Sequence, residues 1–205
     1  MALTLYGSHR SRTMRILWVL EELGLPFEHE AWEHDDPRLK SSEYLARFPA
    51  GTIPAIDDNG FALSESLAIT TYLCETYQAQ AGVELLPDNP PGRAEVNRWT
   101  LWAQAALEPW VQRDSQTEAV LGSVRELALD YAAQGVATLE AHLGSAPWML
   151  GERFTVADLN VASVLSPSRS SRLDLTPFPK TADWLARCRS RPAAAAVRER
   201  YFPRS

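Results

Sequence analysis

The chain reads Ala-Gly-Thr-Ile-Pro-Ala-Ile at residues 50–56, and a Ser-Glu-Ser sequence follows at residues 64–66. A proline at the head of a strand donates no ladder hydrogen bond, so the pattern predicts a strand whose first backbone groups stay free for a ligand. The turn Asp-Asp-Asn-Gly at residues 57–60 predicts a hairpin, and Ser66 is expected to start a helix. Helix starts attract anions because their first N–H groups are unpaired. The stretch therefore predicts a clamp for the backbone and carboxylate of a small anionic peptide.

The elements around this stretch predict a mixed α/β region. Apolar residues at helical spacing mark one helix before it, and a glycine and a proline end that helix. In chain order the predicted elements are a strand near Leu3, a helix at 11–23, a strand at 27–32, an irregular polar stretch, strands at 53–57 and 61–63, and a helix at 66–77.

The composition changes at residues 81–92, where prolines and glycines interrupt any regular element. We interpret this segment as a linker. Beyond it, apolar residues recur at helical spacing, which predicts an all-helical domain. The predicted organisation is an α/β domain at residues 1–80, a linker at 81–92 and a helical domain at 93–205. Thr155 and Asp158 form a capping box, which is expected to serve folding rather than chemistry.

Composition and charge exclude several classes of function. The 205 residues are 45% hydrophobic and 22% charged, as in an ordinary globular protein. The formal net charge of −6 argues against a nucleic-acid partner, because phosphate recognition needs a basic face. No apolar run approaches the roughly 20 residues of a membrane span, and the N-terminus lacks a signal-peptide pattern. Cys74 and Cys188 form no CxxC pair, and the histidines show no metal-ligand spacing. We expect a cytoplasmic protein that uses no metal and has no nucleic-acid or membrane partner.

Two groups of motifs, in this order, resemble the glutathione S-transferase family. The first is Leu-Tyr-Gly-Ser at residues 5–8, followed by Arg15 and by Glu-Glu-Leu-Gly-Leu-Pro at 21–26. The second is Gly-Thr-Ile-Pro-Ala at 51–55, followed by Ser-Glu-Ser-Leu-Ala-Ile at 64–69. The capping box and a later Trp-Leu and Arg-Pro-Ala extend the resemblance over nearly the whole chain. It implies a thioredoxin-like N-terminal domain, an all-α C-terminal domain, glutathione as co-substrate and a homodimer, of a bacterial serine-using, theta-like kind.

Ser11 is the residue that the resemblance places at the glutathione thiol, since serine-type members carry a serine four residues before the helix arginine, here Arg15. A hydroxyl donor at a helix start supplies a hydrogen bond and a favourable dipole, which both lower a thiol pKa. Lowering it by two units corresponds to about 2.7 kcal/mol. Ser8 and Thr13 remain open alternatives, and Ser11 could instead only cap the helix. Tyr6 resembles the tyrosine of other members, but we expect it to belong to the strand.

The other glutathione contacts are implied by the same resemblance. Ser66 is expected to donate to the γ-glutamyl carboxylate at the helix start, and Glu65 suits the neighbouring ammonium group. Ile53, before Pro54 at the family's cis-proline position, is expected to pair its backbone with the cysteinyl unit. Lys40 is expected to hold the glycine carboxylate.

The chain departs from the family pattern at two positions. Thr52 stands where a lysine is frequent, and Phe48 stands where an asparagine is common. Losing that lysine removes one charge contact, so glutathione affinity is expected to be weaker or to depend on Lys40 and nearby arginines.

The acceptor substrate is expected to lie against the first helix of the second domain. Its predicted pocket walls are Trp102, Trp110 and Arg113. The resulting hypothesis is a glutathione transferase that activates the thiolate for attack on a small hydrophobic electrophile. Two alternatives stay open: glutathione-dependent reduction of peroxides or disulfides, and a non-catalytic relative that binds glutathione, apolar ligands or a protein.

Overall fold

The computed structural model describes residues 2–114, 124–165 and 173–202, without the side chains of 112–114 and 124–125. The chain forms two compact units, the first made of Met1–Glu84 and Pro192–Ser205 and the second of Leu85–Arg191. This division differs from the predicted boundaries, because the segment after residue 191 belongs to the N-terminal unit and not to the helical one. Much of the expected linker at 81–92 lies between two helices, the second of which already starts at Pro90.

The described residues form strands and helices in the following order. The strands are β1 (Leu3–Tyr6), β2 (Glu28–Glu30), β3 (Ala55–Asp58) and β4 (Phe61–Ser64). The helices are α1 (Thr13–Glu22), α2 (Ser42–Arg47), α3 (Ser66–Ala81), α4 (Pro90–Trp102), α5 (Glu108–Asp114), α6 (Val124–His142), α7 (Val156–Val164), α8 (Pro179–Ser190) and α9 (Pro192–Tyr201). A 3₁₀ turn spans Pro37–Lys40 and a π-helical turn spans Ala103–Leu107.

The strands of the N-terminal unit form one mixed sheet, with the order β2-β1-β3-β4 among the described residues. β1 pairs in parallel with β2 and antiparallel with β3, which in turn pairs antiparallel with β4. A parallel pair needs a crossover connection, and α1 supplies it between β1 and β2. The β-α-β, β-β-α order expected from the sequence is therefore confirmed.

The side chains on the two faces of β1 pack against different groups of residues. Leu3 and Leu5 are fully buried, and they alternate with residues on the opposite face as the pleat requires. Tyr6, on that opposite face, packs its ring 5.0 to 5.8 Å from those of Trp32, Tyr44 and Phe48. Tyr6 thus belongs to β1 as expected, and burial raises the pKa of its phenol.

The stretch expected to be irregular contains the 3₁₀ turn and α2. Asp36 starts the turn and accepts a hydrogen bond from Arg38 N at 2.9 Å. Ser41 caps α2 by accepting from Tyr44 N at 3.2 Å. These short elements bury Leu39 and Tyr44 against Phe48 and Ile53.

Helix α9 returns to the N-terminal unit and packs on α1. Arg200 Nη1 donates to Glu21 Oε2 at 3.2 Å across this contact. Val197 and Ala193 are buried. The sequence predicts that this segment belongs to the helical domain, but its contacts are with α1, near the N-terminus.

The second unit is helical in the part that the structure describes. Here α5 packs on α6, α4 on α7, and α8 on both α6 and α7. The predicted capping box at the start of α7 is confirmed, since Asp158 accepts from Thr155 N at 2.9 Å. Its carboxylate also accepts from Met149 N and from Trp184 Nε1, both at 2.9 Å. Burial raises the pKa of Asp158, and these donors oppose that rise. Because one carboxylate bonds Thr155, Met149 and Trp184, the capping box connects three segments of the core.

Candidate functional site

The loop after β1 is anchored at Gly7. Its N–H donates to Glu30 O at 2.8 Å, which extends the β1–β2 pairing by one bond. Gly7 has φ +132°, and a Cβ there would lie 2.3 Å from Thr13 Oγ1 and 3.1 Å from Ile53 Cβ. Only glycine fits both the backbone angle and the space. The loop therefore lies directly against α1 and against the residue that precedes Pro54.

Three buried hydroxyl residues, Ser8, Ser11 and Thr13, meet in this loop. Ser11 Oγ donates to Ser8 O at 2.8 Å, lies 2.8 Å from Thr13 Oγ1 and accepts from Thr13 N at 3.1 Å. Because the single Ser11 proton points to a carbonyl, the Thr13 hydroxyl supplies the proton in their contact. Ser11 thus accepts two hydrogen bonds from Thr13, and such chains polarise the terminal hydroxyl into a better donor.

The Ile53–Pro54 peptide bond is cis, and both side chains are buried. The sequence placed the start of this strand at residue 53, but β3 begins at Ala55. The β1–β3 register ends at the pair Tyr6–Ala55, so Ile53 lies beyond the ladder. Its backbone therefore lies just before the start of β3, beside the Gly7 loop.

Lys40, at the end of the 3₁₀ turn, reaches the same segment from the other side. Its Nζ donates to Gly51 O at 3.0 Å. Gly51 has φ +58°, and a Cβ there would lie 2.9 Å from Lys40 Nζ. Tyr44 OH donates to Thr52 O at 2.8 Å, and burial raises the pKa of Tyr44 to about 12, which keeps that donor protonated. The exposed ammonium of Lys40 is thus held two residues before Ile53.

Glu65 and Ser66 form the start of α3. Glu65 is exposed and has φ +73°, a backbone region that costs a residue with a side chain about 1 to 3 kcal/mol. The hairpin before it and the bond from Ile69 N to Glu65 O, 2.9 Å long, hold it there. Strain of this kind is retained where a side chain must point in one direction, and here it directs a carboxylate at a helix start.

Arg15 is the site residue whose role the sequence did not reveal. Its side chain is 1% exposed, and Nη1 donates to Ser66 Oγ at 3.3 Å. In the sequence motif, Arg15 is used only to identify Ser11, which lies four residues before it. The available signal was its position among the apolar residues of α1, where an arginine needs internal partners.

The residues expected at the acceptor pocket lie in the helical unit. Trp102 is half-buried and meets the buried Trp99 edge to face, with ring centroids 5.3 Å apart. Trp110 stacks on Tyr131 at 4.5 Å. Arg113 lies in α5, and its side chain is outside the description. Their predicted role at a substrate stays a prediction.

Both cysteines are free and buried. Burial raises the pKa of Cys74 to about 12, and it also raises the pKa of Cys188. Within the described ranges no group of three or more histidine, cysteine, aspartate or glutamate side chains could hold a metal ion. None of the helices in those ranges is both long and apolar enough to cross a membrane.

A mixed sheet with a cis-proline before β3 and a strained helix start after β4 defines a thioredoxin-like domain, here followed by a helical unit. Comparison with known proteins gives the family. The family model for the glutathione S-transferase N-terminal domain matches residues 1–75, and that for the C-terminal domain matches residues 103–187. The chain belongs to the glutathione S-transferase family, and the predicted fold class is confirmed.

Individual relatives agree with this assignment. Glutathione S-transferase GstB of Escherichia coli is 29% identical over 209 residues, covering 95% of this chain and 97% of that protein. Glutathione S-transferase-like protein FUS3 of Gibberella fujikuroi is 31% identical over 160 residues, with coverage of 76% and 75%. Glutathione transferase URE2P6 of Phanerochaete chrysosporium, solved with oxidized glutathione, superposes with a TM-score of 0.86 at 26% identity, covering 97% of this chain and 96% of that one.

Proposed function

We propose that the N-terminal unit binds glutathione and that the protein transfers the glutathione thiolate to a small hydrophobic electrophile. The observation that carries the proposal is the backbone of Glu65, whose φ of +73° places an exposed carboxylate next to the buried hydroxyl of Ser66 at the start of α3. A γ-glutamyl group presents an ammonium and a carboxylate side by side, which matches this pair. The relative solved with oxidized glutathione supports the same ligand.

The rest of the tripeptide fits the elements that meet at Gly7 and Gly51. Ile53 would pair its backbone with the cysteinyl unit, because it lies beyond the β1–β3 ladder. Lys40 would bind the glycine carboxylate, since its ammonium is fixed near that end by Gly51 O. The cysteinyl sulfur would then face the loop that packs on Ile53, which is the loop that carries Ser11.

Ser11 would lower the thiol pKa by donating a hydrogen bond from its hydroxyl to the thiolate. Its present acceptor is Ser8 O at 2.8 Å, and rotation of one hydroxyl redirects that proton. Thr13 would keep donating to Ser11 Oγ and so strengthen the new hydrogen bond. With an aromatic halide, the sulfur forms a C–S bond, the halide leaves with its bonding electrons, and the thiol proton is released to water.

The cysteines favour this reaction over disulfide exchange through the protein. Exchange requires a thiolate on the protein, and burial raises the pKa of both Cys74 and Cys188 far above neutral pH. Reduction of peroxides by bound glutathione needs no protein cysteine and stays the second candidate. Comparing turnover of an aromatic halide with that of a hydroperoxide separates the two.

The decisive experiment is the ultraviolet absorbance of the bound glutathione thiolate as a function of pH. We expect a thiol pKa below the reference of about 8.5 in the wild type, a rise of about one to two units in Ser11→Ala and a smaller rise in Thr13→Val. Ser8→Ala is the matched control, because Ser8 contributes its carbonyl rather than its hydroxyl to Ser11. An unchanged titration in Ser11→Ala would remove Ser11 from the mechanism. Binding without turnover of any electrophile would instead identify a non-catalytic relative.

Three further properties are proposed from the family alone. They are a homodimer, a cytoplasmic location with a role in detoxification, and an acceptor pocket that includes Trp102, Trp110 and Arg113. Sedimentation equilibrium tests the dimer, and a monomer at all concentrations would exclude it.

A further inference from the structure

His29 on β2 connects the end of α9 to the loop that carries Ser11. Its Nε2 lies 2.8 Å from Gly7 O, and its Nδ1 lies 3.1 Å from the hydroxyl of Tyr201. A carbonyl only accepts hydrogen bonds, so Nε2 carries the proton and donates to Gly7. In the neutral ring, Nδ1 then accepts from Tyr201, whose hydroxyl can donate to it, so the Gly7 carbonyl fixes the tautomer and Tyr201 fixes the direction of the ring.

Gly7 is therefore held at both of its backbone groups. Its N–H donates to Glu30 O at 2.8 Å and its carbonyl accepts from His29. The Cα of Gly7 packs closely on Thr13 Oγ1, which itself bonds Ser11 Oγ at 2.8 Å. A change in the direction of the Gly7 carbonyl would move the peptide that leads into the hydroxyl cluster.

A second set of contacts joins α9 to the same loop. His9, in the loop, stacks on the ring of Tyr201 with centroids 5.6 Å apart and meets Phe202 edge to face at 5.0 Å. The ion pair between Arg200 and Glu21 also holds α9 on the unit, but it reaches α1 and not the loop. Arg200 also hydrogen-bonds the side chain of Tyr201, so it is Glu21, at the other end of the ion pair, that contributes to docking of the helix alone.

We propose that His29 and Tyr201 are positioning residues for thiol activation, which act by fixing the Gly7 carbonyl and through it the orientation of Ser11. This inference rests on the proposed role of Ser11 toward the glutathione thiol. Neither residue needs to touch the substrate. Their contribution is to keep the Ser11 hydroxyl in one place before glutathione binds, which is the condition for a strong hydrogen bond to the thiolate.

Four variants test the proposal. His29→Leu removes the donor to Gly7, His29→Gln restores an N–H near the position of Nε2, and Tyr201→Phe removes one hydroxyl while keeping the ring. Glu21→Gln is the matched control, because it removes the charge that Arg200 meets on α1 and leaves Arg200 and Tyr201 themselves in place. Thermal unfolding of each variant establishes that it is folded.

The first readout is the pKa of the bound glutathione thiol together with the kinetic constants. We expect His29→Leu to raise that pKa by about one unit. At a pH below the thiol pKa, kcat should fall about tenfold, while KM for glutathione should change less than about twofold. Tyr201→Phe should shift the pKa in the same direction by about half as much. His29→Gln should regain most of the wild-type value, and Glu21→Gln should match the wild type. A wild-type thiol pKa in folded His29→Leu, or an equal shift in Glu21→Gln, overturns the proposal.

The second readout needs no glutathione. Hydrogen exchange at the amides of Ser11 and Thr13, which are bonded to Ser8 O and Ser11 Oγ, should accelerate in His29→Leu and Tyr201→Phe but not in Glu21→Gln. If the wild type binds no glutathione, the proposed function is wrong, whereas these exchange rates still decide whether His29 and Tyr201 position the loop. Equal rates in all four variants overturn the positioning role.

Discussion

Arg15 on α1 donates a hydrogen bond to Ser66 at the start of α3, at 3.3 Å and across 51 positions of the sequence. The guanidinium is buried, and its planar group of donors can hold a partner in a fixed direction. The hydroxyl loop precedes α1, and the clamp for the γ-glutamyl group begins α3. The two halves of the proposed glutathione site are therefore joined through a core residue.

We expect Arg15→Met to lower the free energy of unfolding by about 3 kcal/mol, because it leaves buried polar groups without their partner. It should also weaken glutathione binding, since Ser66 loses the donor that orients its hydroxyl. Urea unfolding and calorimetric titration with glutathione measure the two effects. Arg98→Met, on the exposed surface of α4, is the control and should change stability by less than about 1 kcal/mol. Equal losses in both variants would contradict the structural role of Arg15.

Glu65→Gly should separate stability from binding. Glycine adopts φ +73° without strain, so the variant should be as stable as the wild type or more stable by about 1 kcal/mol. Glutathione affinity should nevertheless fall at least about tenfold, because the carboxylate for the ammonium group is gone.

The matched control for Glu65→Gly is Asn59→Gly. Asn59, at φ +50° in the β3–β4 turn, is the other residue with a side chain and a positive φ among those described. Its replacement should leave glutathione affinity unchanged. A Glu65→Gly variant that binds glutathione normally would show that the strained backbone serves the turn alone.

Lys40→Met should raise KM for glutathione about five- to tenfold and leave kcat nearly unchanged, because the lost contact is to the glycine end and not to the sulfur. The difference from the wild type should shrink at high salt, as expected for an exposed charge. Arg38→Met is the control from the same 3₁₀ turn, where Arg38 bonds Asp36 rather than the Gly51 segment. Equal effects of both substitutions would indicate a general loss of positive charge.

The buried cysteines predict a decline of stability at alkaline pH. Burial raises the folded-state pKa of Cys74 to about 12 and also raises that of Cys188, so both stay protonated when folded. Above a pH of about 9 the unfolded chain loses these protons and the folded chain keeps them, so the free energy of unfolding should fall as pH rises. Below that pH the two thiols should contribute nothing to the pH dependence of the free energy of unfolding.

Urea unfolding between pH 7 and 10 measures this slope, and Cys74→Ala should reduce it. A disulfide reagent specific for thiolates should label neither cysteine in the native protein at pH 8, and should label both in urea. Rapid labelling of the native protein would show that one thiol is accessible and would reopen disulfide exchange as a reaction.

The sequence predicted the local features of the fold that depend on neighbours in the chain. The Ile53–Pro54 pair, the Ser66 helix start and the Thr155–Asp158 box are all local patterns with a direct backbone consequence. It also placed Ser11 at the start of the first helix, which begins two residues later at Thr13, and it treated Ser8 and Thr13 as competitors. The structure shows them as hydrogen-bond partners of Ser11, a relationship that depends on rotamers and on the turn.

The contacts that the sequence missed join distant parts of the chain. His29 and Tyr201 are 172 positions apart, and Glu21 and Arg200 are 179 apart. Helix α9 has little apolar periodicity of its own, so only packing on α1 reveals its place. The sequence did not predict helix α2, because α2 is six residues long and follows a polar turn. Six residues are too few to show a helical periodicity of apolar positions.

The return of α9 to the N-terminal unit also sets an order of synthesis. Residues 85–191 must be synthesised before Tyr201 can reach His29, which takes roughly 5 to 20 seconds at about 5 to 20 residues per second. Until then the loop that carries Ser11 lacks its contacts with Tyr201 and Phe202. A nascent chain that stalls within the helical unit therefore has the complete sheet but an unsupported hydroxyl loop, and it gains that support only after α9 has been translated.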